Sequence, residues 1–374
     1  MFANTADHAQ LHPRNALGDI TNYLPARDAF EKQESLKYPL DENVDVSLSS
    51  LLKKQTENSS AQAPVEILPD PRLIDNSRTS EGNRKRKRLW KDVDSLNHDD
   101  PQACSHYAIS IMEYLRKAEQ TRRASPSYFN RQTDILPRMR LILVDWLVEV
   151  SEEFKLSCDT LFQSINYFDR YLSVFKVSRN QLQLVGITSM WVASKFEEVY
   201  PPTASEFSYI TDYTYRKEEL IKMEESILKE LNYELAVPTA KTFLRRLLQV
   251  CEPNDELHYL SNYLTEVSLM DHKFLAYLPS QIAASAVFLA NLMFNQYPWT
   301  ATLEHYSGYH LKDFSKCLEL LNYVLLLTFS RGKKGVFFTL YDKYANEKFL
   351  GVSKMQPIPQ ESIIKYLEKY LDYY

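Results

Sequence analysis

The chain has 374 residues, with 44 Lys and Arg against 49 Asp and Glu, and a formal net charge of −5. A balance this close to neutral gives no global pull towards nucleic acid or a membrane surface, and only seven glycines argue for helices over a turn-rich β fold and leave no phosphate-cradling loop. The four cysteines, Cys104, Cys158, Cys251 and Cys317, lie far apart with no CxxC pair, which speaks against a zinc site or disulfide framework and fits a reducing compartment.

Residues 1–98 read as a different polymer from the rest. They are rich in Asn, Asp, Ser, Pro, Arg and Gln, and their apolar residues keep no period. Such a segment buries too little surface to offset its ordering entropy, so a disordered tail is expected. Its first residues hold no apolar core of the kind a secretory signal needs. Near its end stand five consecutive cations, Arg84, Lys85, Arg86, Lys87 and Arg88. They read as a nuclear import signal, with the nucleus and cytoplasm as the expected locations. A nucleic-acid patch is disfavoured because no aromatic side chains stand beside them for base stacking, and a plain solvated charge run stays open.

From Asp99 the helical period sets in. Tyr107, Ile111, Tyr114 and Leu115 make one amphipathic helix ahead of the main body. Helices are then expected near 138–154, 159–173, 179–199, 203–210 and 216–232, with Asp159–Thr160 and Ser178 as N-cap residue types and Pro201–Pro202 stopping the third. In the first of these, MRLILVDWLVEV, Met139, Ile142, Leu143, Trp146 and Val150 share one face, and Leu141, Val144 and Val148 the opposite one. Arg140, Asp145, Glu149 and Glu152 run along the flanks. A surface helix has one apolar stripe. This one has two, so it is either buried all round or gives one face to a partner.

A second set follows Pro238, near 239–250, 255–270, 279–296, 300–307 and 311–329. It repeats the first at an offset of 97: Trp146 meets Phe243, Ser189 meets Ala286, Ala193 meets Ala290 and Tyr209 meets Tyr306. The third helix of each set carries small residues, Gly186, Ser189 and Ala193 against Ala283, Ala284, Ala286 and Ala290, which suits a central helix closely surrounded by four others. The run Ile282–Phe294 is too short to span a bilayer and reads as buried helix. The tail spaces Ile363, Ile364, Leu367, Tyr370 and Leu371 as an amphipathic helix that docks on the second unit. The expected domains are 1–98, a regulatory tail; 99–236, a short helix and the first unit; 237–352, the second unit; and 353–374, a C-terminal helix.

No catalytic constellation emerges. HExxH, GxSxG, the Walker loop and GxGxxG are absent, the eight histidines are scattered, and neither a metal nor a cofactor is expected. Lys195 stands out because it lies in an apolar helix, one turn after Trp191 and one before Val199. A lysine there needs an anionic partner, and Glu224 is the candidate.

The strings MRLILVDWLVEV, NYFDRYLS (166–173), KFEEVYPP (195–202) and EFSYITDYTY (206–215) resemble the cyclins, and the A/B-type mitotic cyclins in particular. YLPSQIAASAVFLA (277–290) and LEHYSGY (303–309) are most similar to the A-type. The likeness runs from Tyr107 to Val352. It implies an all-α fold, a tandem pair of five-helix cyclin boxes preceded by a short N-terminal helix and a disordered tail. It also implies a non-catalytic activator that forms a heterodimer with a cyclin-dependent serine/threonine kinase and controls progress from S phase to mitosis. Lys195 and Glu224 would then grip backbone groups of the kinase's mobile αC helix, while Phe196, Val199, Tyr233, Leu235, Tyr107 and Ile111 pack on it. Val199 is smaller than the usual Ile, and Tyr233 replaces the usual Phe. Met139, Ile142, Leu143 and Trp146 would form a groove for basic-x-Leu peptides of substrates and inhibitors. Leu182 and Gln183 line its floor, Arg179 borders it, and Glu149 holds the peptide's basic residue. RNALGDITN, with Arg14, Leu17, Ile20 and Asn22, resembles the destruction box read by the anaphase-promoting ubiquitin ligase, and ubiquitin-dependent degradation follows. No nucleic-acid or membrane partner is implied. Ser125–Pro126 is a minimal site for a proline-directed kinase. The competing reading is a cyclin-fold transcription adaptor, which commonly carries an N-terminal zinc ribbon that this chain lacks. A plain helical-repeat scaffold stands behind it.

Overall fold

The computed structural model describes residues 90–332 and 339–370, all of them in helices, turns and irregular segments with no strand among the described residues. The first unit comprises α3 (Pro137–Glu153), α4 (Cys158–Val174), α5 (Arg179–Glu197), α6 (Ala204–Ile210) and α7 (Lys217–Glu230). The second comprises α8 (Ala240–Cys251), α9 (Asp255–Val267), α10 (Pro279–Met293), α11 (Ala301–Ser307) and α12 (Leu311–Gly332). Four more helices lie outside the pair: α1 (Val93–Leu96), α2 (Ala108–Thr121), α13 (Thr339–Ala345) and α14 (Gln360–Tyr370).

Local chemistry sets the boundaries. Pro137 opens α3, where a missing N–H is harmless. Ser157 caps α4 by accepting from the Thr160 amide, so the cap lies two residues before Asp159, which instead sits in the first turn. Thr203 and Glu206 close a capping box on α6. The α5 helix ends at Glu197, two residues earlier than the period implies, because the chain must extend before the Pro201–Pro202 pair. The 97-residue repeat is physical: α6 and α11 are separated by that offset at both ends, each behind a threonine cap, Thr203 and Thr300.

The small residues do what their spacing implies. Leu182 to Ser194 of α5 and Ile282 to Leu292 of α10 are buried without interruption. A Cβ on Gly186 would stand 2.7 Å from Leu143 Cδ2, so glycine lets α3 close on α5. One continuous core then runs through both units.

The outer helices tie the units together. In α2 the buried Glu119 carboxylate accepts from the amide and hydroxyl of Ser280, at the N-terminus of α10, at 2.9 and 2.7 Å. Burial pushes the Glu119 carboxyl up, against the Ser280 hydrogen bonds that lower it. Arg123 adds donation to the Leu275 and Tyr277 carbonyls. The α14 helix docks on the second unit through Ile363, Tyr366 and Leu367, and Asn322 donates to Gln360 Oε1 at 2.7 Å. No period announces α13. It is nonetheless bound on both sides, with Lys343 reaching Glu152 of α3 at 3.1 Å and Glu266 of α9 at 2.9 Å.

One expectation is corrected. Residues 90–98, read with the tail, are held against the second unit: the Val93 amide donates to the Tyr306 hydroxyl at 2.9 Å, and Arg246 grips the Asp94 carboxylate at 2.6 and 2.7 Å. The pattern misses them because this order comes from long-range polar contacts and one buried valine, Val93, not from an amphipathic period.

Candidate functional site

Two neighbourhoods collect the singled-out residues. The first runs from α2 across the end of α5 to the turn after α7. Lys195 pairs with Glu224, linking α5 to α7, and its ammonium lies 3.7 Å from the centroid of the Trp191 ring. Trp191 is buried while Lys195 keeps about a third of its side chain in solvent, so the cation snorkels over an aromatic face to a carboxylate. The pair is therefore shaped before any partner arrives.

Around it stand large apolar side chains with no cover: Phe196 is 46 % exposed, Val199 83 %, Tyr233 65 %, Tyr107 69 % and Ile111 42 %. Leu235 is half-buried. Each exposure has a local cause. The early end of α5 throws Val199 onto an extended segment before the prolines. Asn232 and Tyr233 both adopt positive φ, 51° and 56°, a strained conformation for tyrosine that turns the chain sharply and stands its ring outward. The turn is fastened from behind: the Tyr167 hydroxyl donates to the Leu235 carbonyl and Arg170 to the Glu234 carbonyl, both at 2.9 Å. Arg122, the C-cap of α2, donates to the Ala236 carbonyl at 2.9 Å, which brings the α2 residues alongside. Tyr114 and Tyr200 are exposed in the same neighbourhood by sequence and belong with it.

The second neighbourhood is α3 against the start of α5. Here the expectation of an open apolar face is corrected. Met139, Leu143, Trp146, Leu182 and Gln183 are all buried, because α5 closes on one face of α3 and α13 lies along another. Ile142 and Arg179 are partly open and Glu149 is exposed, so the eight residues form a floor with a polar lip. Arg179 borders it and is fixed by Asp134, whose carboxylate takes Nε at 2.8 Å and Nη2 at 2.5 Å. That hydrogen bonding holds the Asp134 carboxyl below its ordinary range, against modest desolvation.

The lip is acidic, as the role given to Glu149 implies, and Asp145 joins it. Asp145 accepts from the Thr339 hydroxyl at 3.2 Å while its Oδ1 is buried without a hydrogen-bond partner. Burial pushes the Asp145 carboxyl up to about 6; the Thr339 hydrogen bonds lower it, and Glu149 and Asp342 raise it further. Desolvation, with Glu153 nearby, likewise raises Glu149. Thr339 and Asp342 come from 194 residues or more beyond Asp145, so no local pattern reveals them. The lip can accept a cation.

Arg14, Leu17, Ile20 and Asn22, and the run Arg84 to Arg88, lie outside the described residues. Ser125 is half-buried, and its amide donates to Ser173 Oγ at 2.9 Å. No group of three or more His, Cys, Asp or Glu among the described residues could hold a metal ion, and none of the described helices is long and apolar enough to cross a membrane.

Comparison with known proteins points one way. Residues 110–236 match the family described as Cyclin, N-terminal domain, and residues 238–358 match Cyclin, C-terminal domain. A putative cyclin-A3-1 of Arabidopsis thaliana is 41 % identical over 309 residues, 78 % of this chain and 86 % of that one. A G2/mitotic-specific cyclin-A of Hydra viridissima is 44 % identical over 271 residues, 72 % of this chain and 63 % of that one. A viral cyclin from herpesvirus saimiri superposes with a TM-score of 0.53 at 24 % identity, over 62 % of this chain and all of the other, a likeness of fold.

Proposed function

The chain belongs to the cyclin family and is similar to its A-type members, and from that premise we propose that it is the regulatory subunit of a cyclin-dependent serine/threonine kinase acting between S phase and mitosis. It contributes no catalytic group. The observation that carries the reading is the uncovered aromatic and aliphatic surface around the Lys195–Glu224 pair. Contiguous apolar exposure of this kind marks a protein interface.

The mechanism is conformational. A kinase aligns ATP when the glutamate of its αC helix reaches the β3 lysine. A rigid surface that packs on αC in that pose and not in others favours the active state by its differential affinity for the two. Rigidity comes from the fastenings behind the surface, Tyr167, Arg170, Arg122 and Glu119. Lys195 and Glu224 present a cation and an anion to backbone groups at the end of the kinase helix, and the apolar side chains bury its flank. The floor under α3, with its acidic lip, takes basic-x-Leu peptides and brings substrates to the kinase. Arg84 to Arg88 direct the complex to the nucleus, and Arg14 to Asn22 deliver the chain to the anaphase-promoting ubiquitin ligase.

Reconstitution tests the reading. The purified chain mixed with candidate cyclin-dependent kinases should switch on phosphorylation of a histone substrate. A chain that activates none of them overturns the proposal. Deleting Arg14 to Asn22 should lengthen the protein's half-life through mitotic exit, and unchanged decay removes that part.

A further inference from the structure

On the side of α2 that faces away from Tyr107 and Ile111, the structure leaves a cleft of about 580 Å³ between α1, α2 and the second unit. Its floor includes Ile109, 73 % exposed, and Met112; its walls include Trp90, His305, Asp92 and Glu113. We propose that this cleft receives the chain's own basic run, Arg84 to Arg88, and so withholds it from an import receptor.

Covalent reach carries the first part of the argument. Trp90 is itself a wall of the cleft, stacked on His305 with ring centroids 3.7 Å apart. The chain is pinned there: the Lys91 amide donates to Thr302 Oγ1 at 3.1 Å, and Asp94 is held by Arg246. Arg88 is two residues before Trp90 and therefore within about 7 Å of the wall, and Arg84 within about 22 Å. A tethered segment this close meets the cleft at an effective concentration on the order of millimolar.

Chemistry carries the second part. Arg246 in the cleft is answered by the Asp94 carboxylate, and Arg116 donates to the Ser307 carbonyl and lies over the Tyr309 ring. Asp92, which also caps α1 by accepting from the Ser95 amide at 3.1 Å, and Glu113 add two further carboxylates to the lining. An apolar floor between carboxylates suits Lys and Arg, whose methylene stems bury while their charged heads reach out. With Asp94 taken by Arg246, Asp92, Asp99 and Asp100 still follow closely on the basic run, so a fold-back also pairs opposite charges within one short segment.

The masking consequence rests on the reading of Arg84 to Arg88 as an import signal; the docking itself does not. The test uses the full chain and its Asp92→Asn/Glu113→Gln variant. Asn caps a helix as well as Asp and Glu113 is exposed, so the fold should hold, which a melting curve checks. Limited trypsin digestion reads docking directly, with the bonds after Lys53 and Lys54 as internal reference. In low salt, cleavage within Arg84 to Arg88, relative to that reference, should run about fivefold faster in the variant, and the difference should shrink at high ionic strength. Equal relative rates overturn the proposal. Protection that grows with protein concentration assigns the cleft to the run of a second copy and also overturns it. Purified importin-α supplies the second arm and should bind the variant about fivefold more tightly than the native chain. If trypsin shows protection but importin-α binds neither protein, docking stands and the import reading falls. If importin-α binds both equally and cleavage is unchanged, the import reading stands and docking falls.

Discussion

Arg140 and Asp169 face each other through two parallel hydrogen bonds, Nε to Oδ1 and Nη2 to Oδ2, both 2.8 Å long and both out of reach of solvent. Asp169 also accepts from the Tyr128 hydroxyl at 2.9 Å, and Arg140 spends its remaining nitrogen on the Leu269 carbonyl of the second unit at 2.8 Å. One buried pair thus joins the segment before α3, two helices of the first unit, and the second unit. Arg140→Met leaves the Asp169 carboxylate buried without its counter-charge. The expected loss of unfolding free energy is about 3–5 kcal/mol, read from urea denaturation. A loss under about 1 kcal/mol would mean that the pair does not hold the units together.

The Lys195–Glu224 pair makes the opposite case. About a third of the lysine side chain and a fifth of the carboxylate's stay in solvent, so its worth to the fold is about 0–1 kcal/mol. Lys195→Ala/Glu224→Ala should melt within a few degrees of the native chain. Kinase activation should nonetheless fall by about tenfold or more if, as proposed, these two groups meet the partner's backbone in a desolvated contact. Parallel loss of melting temperature and activation would assign the pair to the fold instead.

How much of this was readable beforehand differs from residue to residue. The ten core helices follow from apolar period, caps and prolines, and the 97-residue offset reappears in α6 and α11 to the residue. The Lys195–Glu224 pairing was readable because a lone cation in an apolar stripe asks for a partner. Arg140 was not: placed on the flank of a helix wheel, it looks like a solvated charge, and only the tertiary approach of Asp169 and Leu269 makes it internal. The α13 helix and the Trp90 to Asp94 anchor escape for a related reason, since they are held by contacts across 77 to 213 residues of sequence. The double apolar face of α3 was readable, but not how far it is covered: α5 and α13 bury most of it and leave Ile142 partly open and Glu149 exposed.

That burial changes how peptide capture should be probed. Trp146→Ala or Met139→Ala opens a cavity in the core, at an expected loss of about 2–5 kcal/mol, so loss of peptide binding there would be confounded with unfolding. Glu149 stands exposed on the lip. Glu149→Lys should leave melting and kinase activation unchanged and weaken binding of a fluorescent Arg-x-Leu peptide by about tenfold, because it puts like charge against the peptide's cation. Unchanged anisotropy titrations would place the peptide elsewhere.

Asp145 gives the lip a pH dependence whose sign can be worked out. Its carboxyl titrates at about 6 in the folded chain, mainly because it is buried, against an ordinary value of 3.8. Between those values the folded state holds more protons than the unfolded one, so stability falls as pH rises from about 4 to 6 and is level above that. Asp145→Asn removes the titration while Asn Oδ1 still accepts from Thr339. The variant should match the native chain near pH 3.5 and exceed it by about 1–3 kcal/mol at pH 7. A bound cation reverses the preference, since it favours the carboxylate. Affinity for an Arg-x-Leu peptide should therefore climb several-fold between pH 5 and 7 in the native chain and stay flatter in Asp145→Asn, with Glu149→Gln removing part of the remaining slope. Equal pH profiles for native and Asp145→Asn would mean that the peptide's cation does not approach Asp145, and the acidic lip would lose its role in capture.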